Sequence, residues 1–160
     1  MKTPNLLDAI RIVKENERIA SANYAEASKN LWDAWGKELF NQLSQFEQFH
    51  FEKISALEKS LEESGNFIHY EGKEFPLPPL FEIKAAEEPD KKSTMQIITE
   101  ARELEQIAEK TYASLAAQIT DAQGHEMFLK LSKEEHNHYL ILEKAYWTLN
   151  NFGVWRVPQA

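Results

Sequence analysis

Apolar residues recur along this chain in steps that alternate between four and three, over four separate stretches. The first follows a stop-and-cap cluster at Thr3-Pro4-Asn5 and carries Leu6, Ile10, Val13, Glu17, Ala20, Tyr24, Ala27 and Leu31. The second, from about Asp33 into Glu63, carries Phe40, Leu43, Glu47, His50, Ile54, Leu57 and Leu61. The third follows a Ser93-Thr94 cap with Ile98, Ala101, Glu105, Ala108, Tyr112, Leu115 and Ile119. The fourth starts near Asp121 and shows Phe128, Leu131, Glu135, His138, Leu142, Ala145 and Leu149. This spacing makes one stripe on an α-helix, the seam by which a helix packs in a bundle. Between the second and third stretches the pattern breaks over residues 65–93, which hold four of the six prolines. A long connection is expected there, with a little extended structure at most, covering the side of the bundle. Short, long and short connections predict an all-α four-helix bundle in a single domain. Two antiparallel hairpins, 5–64 and 94–150, are joined by a crossover, and a tail, 151–160, folds back over one end.

Each stripe is interrupted by ionisable residues, and the interruptions repeat. The segment ELFNQLSQFEQFH, residues 38–50, returns as EMFLKLSKEEHNH, residues 126–138, at an offset of 88. Both copies end in Glu-x-x-His, Glu47 with His50 and Glu135 with His138, and on a helix that spacing aims both groups from one face. With 22 Glu and five His in the chain, one such motif is expected by chance. The repeat is much harder to obtain that way: 17–50 and 105–138 match at 14 of 34 positions, where unrelated sequences give about two. Two units of this size are a duplication, which relates the hairpins by a pseudo-twofold axis.

Four carboxylates in an apolar seam would cost several kcal/mol each without a neutralising partner. Two divalent cations supply four positive charges against Glu17, Glu47, Glu105 and Glu135, and the neutral imidazoles of His50 and His138 complete the set. One Glu from each of two helices, with Glu-x-x-His from each of the other two, is the ligand pattern of carboxylate-bridged dimetal centres in helix bundles. Oxygen-rich donors with one His per metal suit iron or manganese better than structural zinc. The composition agrees: no cysteine is present to form thiolate sites or disulfides, and the net charge of −8 disfavours nucleic acid as a partner. The opening residues lack the apolar run of a signal peptide, and no stretch is long enough to cross a bilayer, so a cytoplasmic protein is expected.

On these paired modules the chain resembles the ferritin-like di-iron superfamily, and within it is most similar to the rubrerythrin-type di-iron domain, over roughly residues 5–150. The resemblance implies that Glu47 and Glu135 bridge two irons, that Glu17 and Glu105 are terminal, and that His50 and His138 each cap one metal. It implies further that Tyr24 and Tyr112, each seven residues after a ligand, donate to the carboxylates and take part in catalysis. Rubrerythrins carry a cysteine-ligated iron site that feeds electrons to the centre; with no cysteine here, a separate donor such as a rubredoxin or flavoprotein is expected. They also place a further Glu three residues after the third helix's ligand, where this chain has Ala108. Glu109, one step on, is a candidate ligand that sits off the seam.

The function so implied is a redox enzyme reducing peroxide or dioxygen, in an oxidative-stress setting and as a homodimer, with two iron ions or with manganese or zinc in their place. A second reading is a ferroxidase that passes iron on for storage. A third is a metal-free bundle held by a buried polar network. His69, His125 and His136 are read as surface residues, and Trp32 and Trp35 as packing at the first turn.

Overall fold

The computed structural model describes residues 5–76 and 87–156 and is built of four α-helices. They are α1 (Leu6–Asn30), α2 (Ala34–Ser64), α3 (Lys91–Gln118) and α4 (Ala122–Phe152). Among the described residues the only extended pairing is one isolated antiparallel bridge, Glu87 to Val154. Residues 77–86 of the connection and 157–160 of the tail, on which the sequence also bears, lie outside the described residues.

Capping side chains set where each helix begins. Asn5 accepts the Asp8 N–H at 2.8 Å, Asp33 accepts those of Trp35 and Gly36 at 2.8 and 3.0 Å, and Asp121 accepts that of Gly124 at 2.9 Å. The start of α3 corrects the sequence expectation: the cap is Asp90, which accepts the Ser93 N–H at 3.3 Å, so the helix begins before Ser93 and Thr94. Gly65 and Gly153 end α2 and α4 in the left-handed region, at φ +73° and +72°, the conformation that favours glycine at a helix C-terminus.

The helices pair antiparallel within each hairpin. Arg11 binds Glu58, Ser21 meets Ser44 and Ser28 meets Lys37 between α1 and α2. Arg102 binds Glu143 and Ser132 donates to the Glu109 carbonyl between α3 and α4. The seams then divide the core into two apolar halves. Ile10, Val13, Ile54, Leu57, Leu115 and Phe128 lie in one, and Leu31, Leu39, Leu43, Ile98, Leu142 and Leu149 in the other. The ionisable residues of all four seams lie between these halves, as a polar layer.

Segments following α2 and α4 lock the bundle's ends. A Cβ on Gly36 would stand 2.6 Å from the Trp155 ring, and one on Gly124 would stand 2.5 Å from Phe67, so each aromatic ring rests where only glycine leaves room. Trp155 is buried, donates its indole N–H to Glu88 at 2.9 Å, and accepts from Thr148 through its carbonyl at 2.8 Å. The described part of the tail, after α4 ends at Phe152, therefore folds back over the end of the bundle. Phe67, Tyr70 and Phe75 lay the first part of the connection over α2 and α4. Trp32 departs from expectation: it is exposed, because Leu31 is the residue that turns inward at the end of α1, while Trp35 packs against Trp155. No described helix is long and apolar enough to cross a membrane.

Candidate metal centre

All six candidate ligands are buried, at 3% exposure or less, in the polar layer between the two apolar halves. Each arrives there because its helix places it one step along an otherwise apolar seam. Glu17 comes from α1, Glu105 from α3, and the two Glu-x-x-His pairs from α2 and α4. They fall into two groups: Glu17, Glu47, His50 and Glu135, and Glu47, Glu105, Glu135 and His138. In each group one donor atom per residue lies within 4.8 Å of all the others, and Glu47 and Glu135 belong to both.

The distances show how the imidazoles face the acids. His50 Nδ1 is 2.7 Å from Glu135 and 3.6 Å from both Glu17 and Glu47. His138 Nδ1 is 3.0 Å from Glu47, 3.5 Å from Glu105 and 3.8 Å from Glu135. Each histidine thus lies closest to the carboxylate of the opposite Glu-x-x-His pair. Close as they are, both ring nitrogens of His50 and His138 and one oxygen each of Glu17, Glu47, Glu105 and Glu135 have no hydrogen-bond partner among the described residues. The donor atoms of each group crowd around a shared point without hydrogen-bonding to one another. Orphaned buried lone pairs are costly, and a cation at each shared point would satisfy them together. The residues present fit two metal ions.

Two tyrosines fasten Glu105 and Glu17 from across the bundle. Tyr24 of α1 donates to Glu105 of α3 at 2.8 Å, and Tyr112 of α3 donates to Glu17 of α1. Burial and the adjoining carboxylates push both hydroxyls well above the usual phenol range, so they remain donors. Glu109 is not brought to the centre. Its side chain is 3.1 Å from His136 on the partly exposed outer side of the α3/α4 pair. Its position one step off the seam turns it away from the other acids.

Without cations the layer holds protons. Burial first, then the neighbouring carboxylates, push Glu17 and Glu135 well above the ordinary range for a glutamic acid. Burial lowers the histidines, but the surrounding acids outweigh it: His50 is raised well above its usual value, and His138 to about 9. Glu47 moves the other way. Burial opposes ionisation there, yet Glu17, His138 and His50 together hold it well below the usual carboxylate range.

One residue escaped the sequence reading. Glu134, beside Glu135 on α4, is buried with an oxygen 3.6 Å from His50 Nε2, the face of the ring turned away from the other acids. It accepts from the Tyr70 hydroxyl at 2.7 Å and from the Lys73 N–H at 3.0 Å. His138 has no such neighbour: the residue 88 places before Glu134 is Phe46, whose ring meets His138 edge-on at 4.5 Å. At 3.6 Å no hydrogen bond joins the two, so the acid acts on the ring through its charge and raises its basicity. Glu134→Gln is expected to weaken metal binding on the His50 side by about tenfold. Stepwise Co(II) titration, followed by the visible spectrum, should show one of two ions weakened and the other unchanged.

No protein-family model matches the chain, and no curated protein does. A solved structure of a hypothetical protein from Pyrococcus furiosus is similar, with a TM-score of 0.71 over 96% of this chain and 94% of that one, at 19% identity. At that identity the likeness bears on the fold alone.

Proposed function

We propose that this chain is a ferritin-like protein of rubrerythrin type, its two hairpins joined by a crossover and related by a pseudo-twofold axis, housing a carboxylate-bridged dinuclear iron centre that reduces peroxide or dioxygen. The observation that carries this reading is the convergence of unpartnered donor atoms into two groups that share Glu47 and Glu135. Further support comes from matched positions 88 apart: the caps Asp33 and Asp121, the glycines Gly36 and Gly124, and Gly65 and Gly153 each serve like ends.

In this reading Glu47 and Glu135 would be shared by both ions, Glu17 and Glu105 would each hold one, and His50 and His138 would each offer Nδ1 to one. Two Fe(II) ions would supply the two electrons that peroxide needs. Tyr24 and Tyr112 keep the terminal acids in place while charge changes beside them, and Glu134 supports His50 through its charge. Protons held by Glu17, Glu135 and the histidines leave as the cations enter. With no cysteine in the chain, re-reduction falls to a separate donor such as a rubredoxin or a flavoprotein, and a cytoplasmic homodimer is the expected form.

Anaerobic Fe(II) loading followed by rapid mixing tests the reading. Two irons per chain that oxidise much faster with peroxide than with air would support it. Oxidation of many irons per chain by air would replace it with iron storage, and uptake of no metal would overturn it in favour of a metal-free bundle.

A further inference from the structure

The two sides of the polar layer differ. On the side of the histidines, Phe46, Phe49 and Phe75 meet the imidazoles edge-on or tilted, and the connection lies over them. On the other side, between α1 and α3, a cleft of about 300 Å³ runs from the surface to Glu47 and Glu135. Its apolar walls are Val13, Ile19, Ala20, Leu104, Ile107 and Ala108, and its polar wall groups besides the acids, Asn16, Asn23, Tyr24, Thr111 and Tyr112, are uncharged.

We propose that this cleft binds a neutral, apolar organic molecule and holds it against the open side of the centre. The inference deepens the dinuclear reading and rests on it for the site's position. Size argues first. A water molecule takes up about 30 Å³, so peroxide or dioxygen leaves most of the cleft unfilled, whereas roughly 300 Å³ lies at the small end of pockets for organic ligands. Charge argues next. The only ionisable acids lining the cleft are Glu17, Glu47, Glu105 and Glu135 themselves, so an incoming cation meets no acidic groups on its way, and an anion meets no counter-charge. An aliphatic chain, by contrast, gains about 25 cal/mol for every Å² it buries against these walls.

The room is also written into the sequence. Ala20 and Ala108 stand 88 apart, each three residues after a terminal ligand, on seams that also carry larger residues such as Ile10, Val13, Ile98 and Leu115. Both line the cleft, and any longer residue at either place would fill the space next to the acids. Ile12, Ile19, Leu104 and Ile107 are exposed around the same face and form an apolar collar. A second copy seated on these residues would cover the collar, but a flat helical face would leave the depth down to Glu47 and Glu135 unfilled.

The test uses 1-octanol as probe on the full chain, metal-free and Co(II)-loaded, by calorimetry, with Ala108→Phe and Ala20→Phe as variants of verified helicity. Octanol should bind the wild type in both states and shift the Co(II) visible spectrum, and either phenylalanine should weaken binding about tenfold or more. Wild-type protein that fails to bind octanol, or variants that bind it equally well, would overturn the proposal. So would a dimer in which Ile19 and Ile107 are buried against the partner. Octanol binding that the variants lose, in a protein that takes up no Co(II), would sink the dinuclear reading and leave the cleft standing.

Discussion

Glu135→Ala and Glu47→Ala should each abolish uptake of the second metal ion, while moving the stability of the metal-free protein in opposite directions. The loss of metal follows from sharing: each of these carboxylates belongs to both donor groups, so removing either one strips a ligand from both positions at once. The stability effects follow from which acid is at ease when no cation is present. Glu135 is a desolvated acid beside Glu105, Glu47 and Glu17, and its ionised form is disfavoured. Removing it takes out a carboxyl group that stays protonated and desolvated in the core, and the metal-free variant should unfold at an equal or higher denaturant concentration. Glu47 is held ionised by Glu17 and by both histidines, so its removal breaks favourable buried pairs, a change that costs about 3–5 kcal/mol where one partner is left behind. Metal content after Co(II) loading and urea midpoints of the metal-free proteins check both halves. Two metals retained in either variant would show that the bridging assignment is wrong.

Sequence reasoning reached the centre because the centre obeys the helix period. Glu17, Glu47, His50, Glu105, Glu135 and His138 all interrupt apolar seams, and seam spacing is the strongest signal a helical chain carries. The caps at Asn5, Asp33 and Asp121 were legible for a similar reason, since a short polar side chain before an apolar period is a local signal. What escaped depends on groups brought from elsewhere. Glu134 lies one step from the seam, and it is buried only because Tyr70 and Lys73, in a stretch without periodicity, fold onto it. Phe46 in the matching place gave no hint of an acid. The cleft was hidden differently: Ala20 and Ala108 look like ordinary small seam residues, and the space they leave appears only when α1 and α3 are placed side by side. The pairing of Phe67 with Gly124, and of Trp155 with Gly36, extends the 88-residue offset beyond the segment in which identities reveal it, because aromatic bulk is kept there while residue type is not.

The metal-free protein should lose stability as pH rises, and the metal-loaded protein should not. In the metal-free bundle His138 titrates at about 9, raised from a reference of 6.5 by Glu105 and Glu47 against the effect of burial. Its stabilising contribution is complete below pH 6.5, where both folded and unfolded chains are protonated, and is lost as pH rises through about 9. With about 1.4 kcal/mol per pKa unit, the loss is on the order of 3 kcal/mol for this one residue. His50, Glu17 and Glu135 are raised as well, so each adds to the decline with the same sign. Glu47, held low, loses its contribution only in acid, outside this window. When cations occupy the centre that decline disappears, because they displace those same protons and bind more tightly as the protons leave, which offsets what the metal-free bundle loses. Saturation at 100 times the dissociation constant adds about 2.7 kcal/mol per site, and above pH 6.5, where neither the loaded nor the unfolded chain holds protons on these groups, the melting temperature of the loaded protein should stay level. Thermal unfolding of the metal-free and Co(II)-loaded chains between pH 6 and 9.5 should therefore give two curves that diverge toward high pH. Parallel curves would mean that the protons and the cations do not share a site, and that the raised histidines belong to a purely structural network.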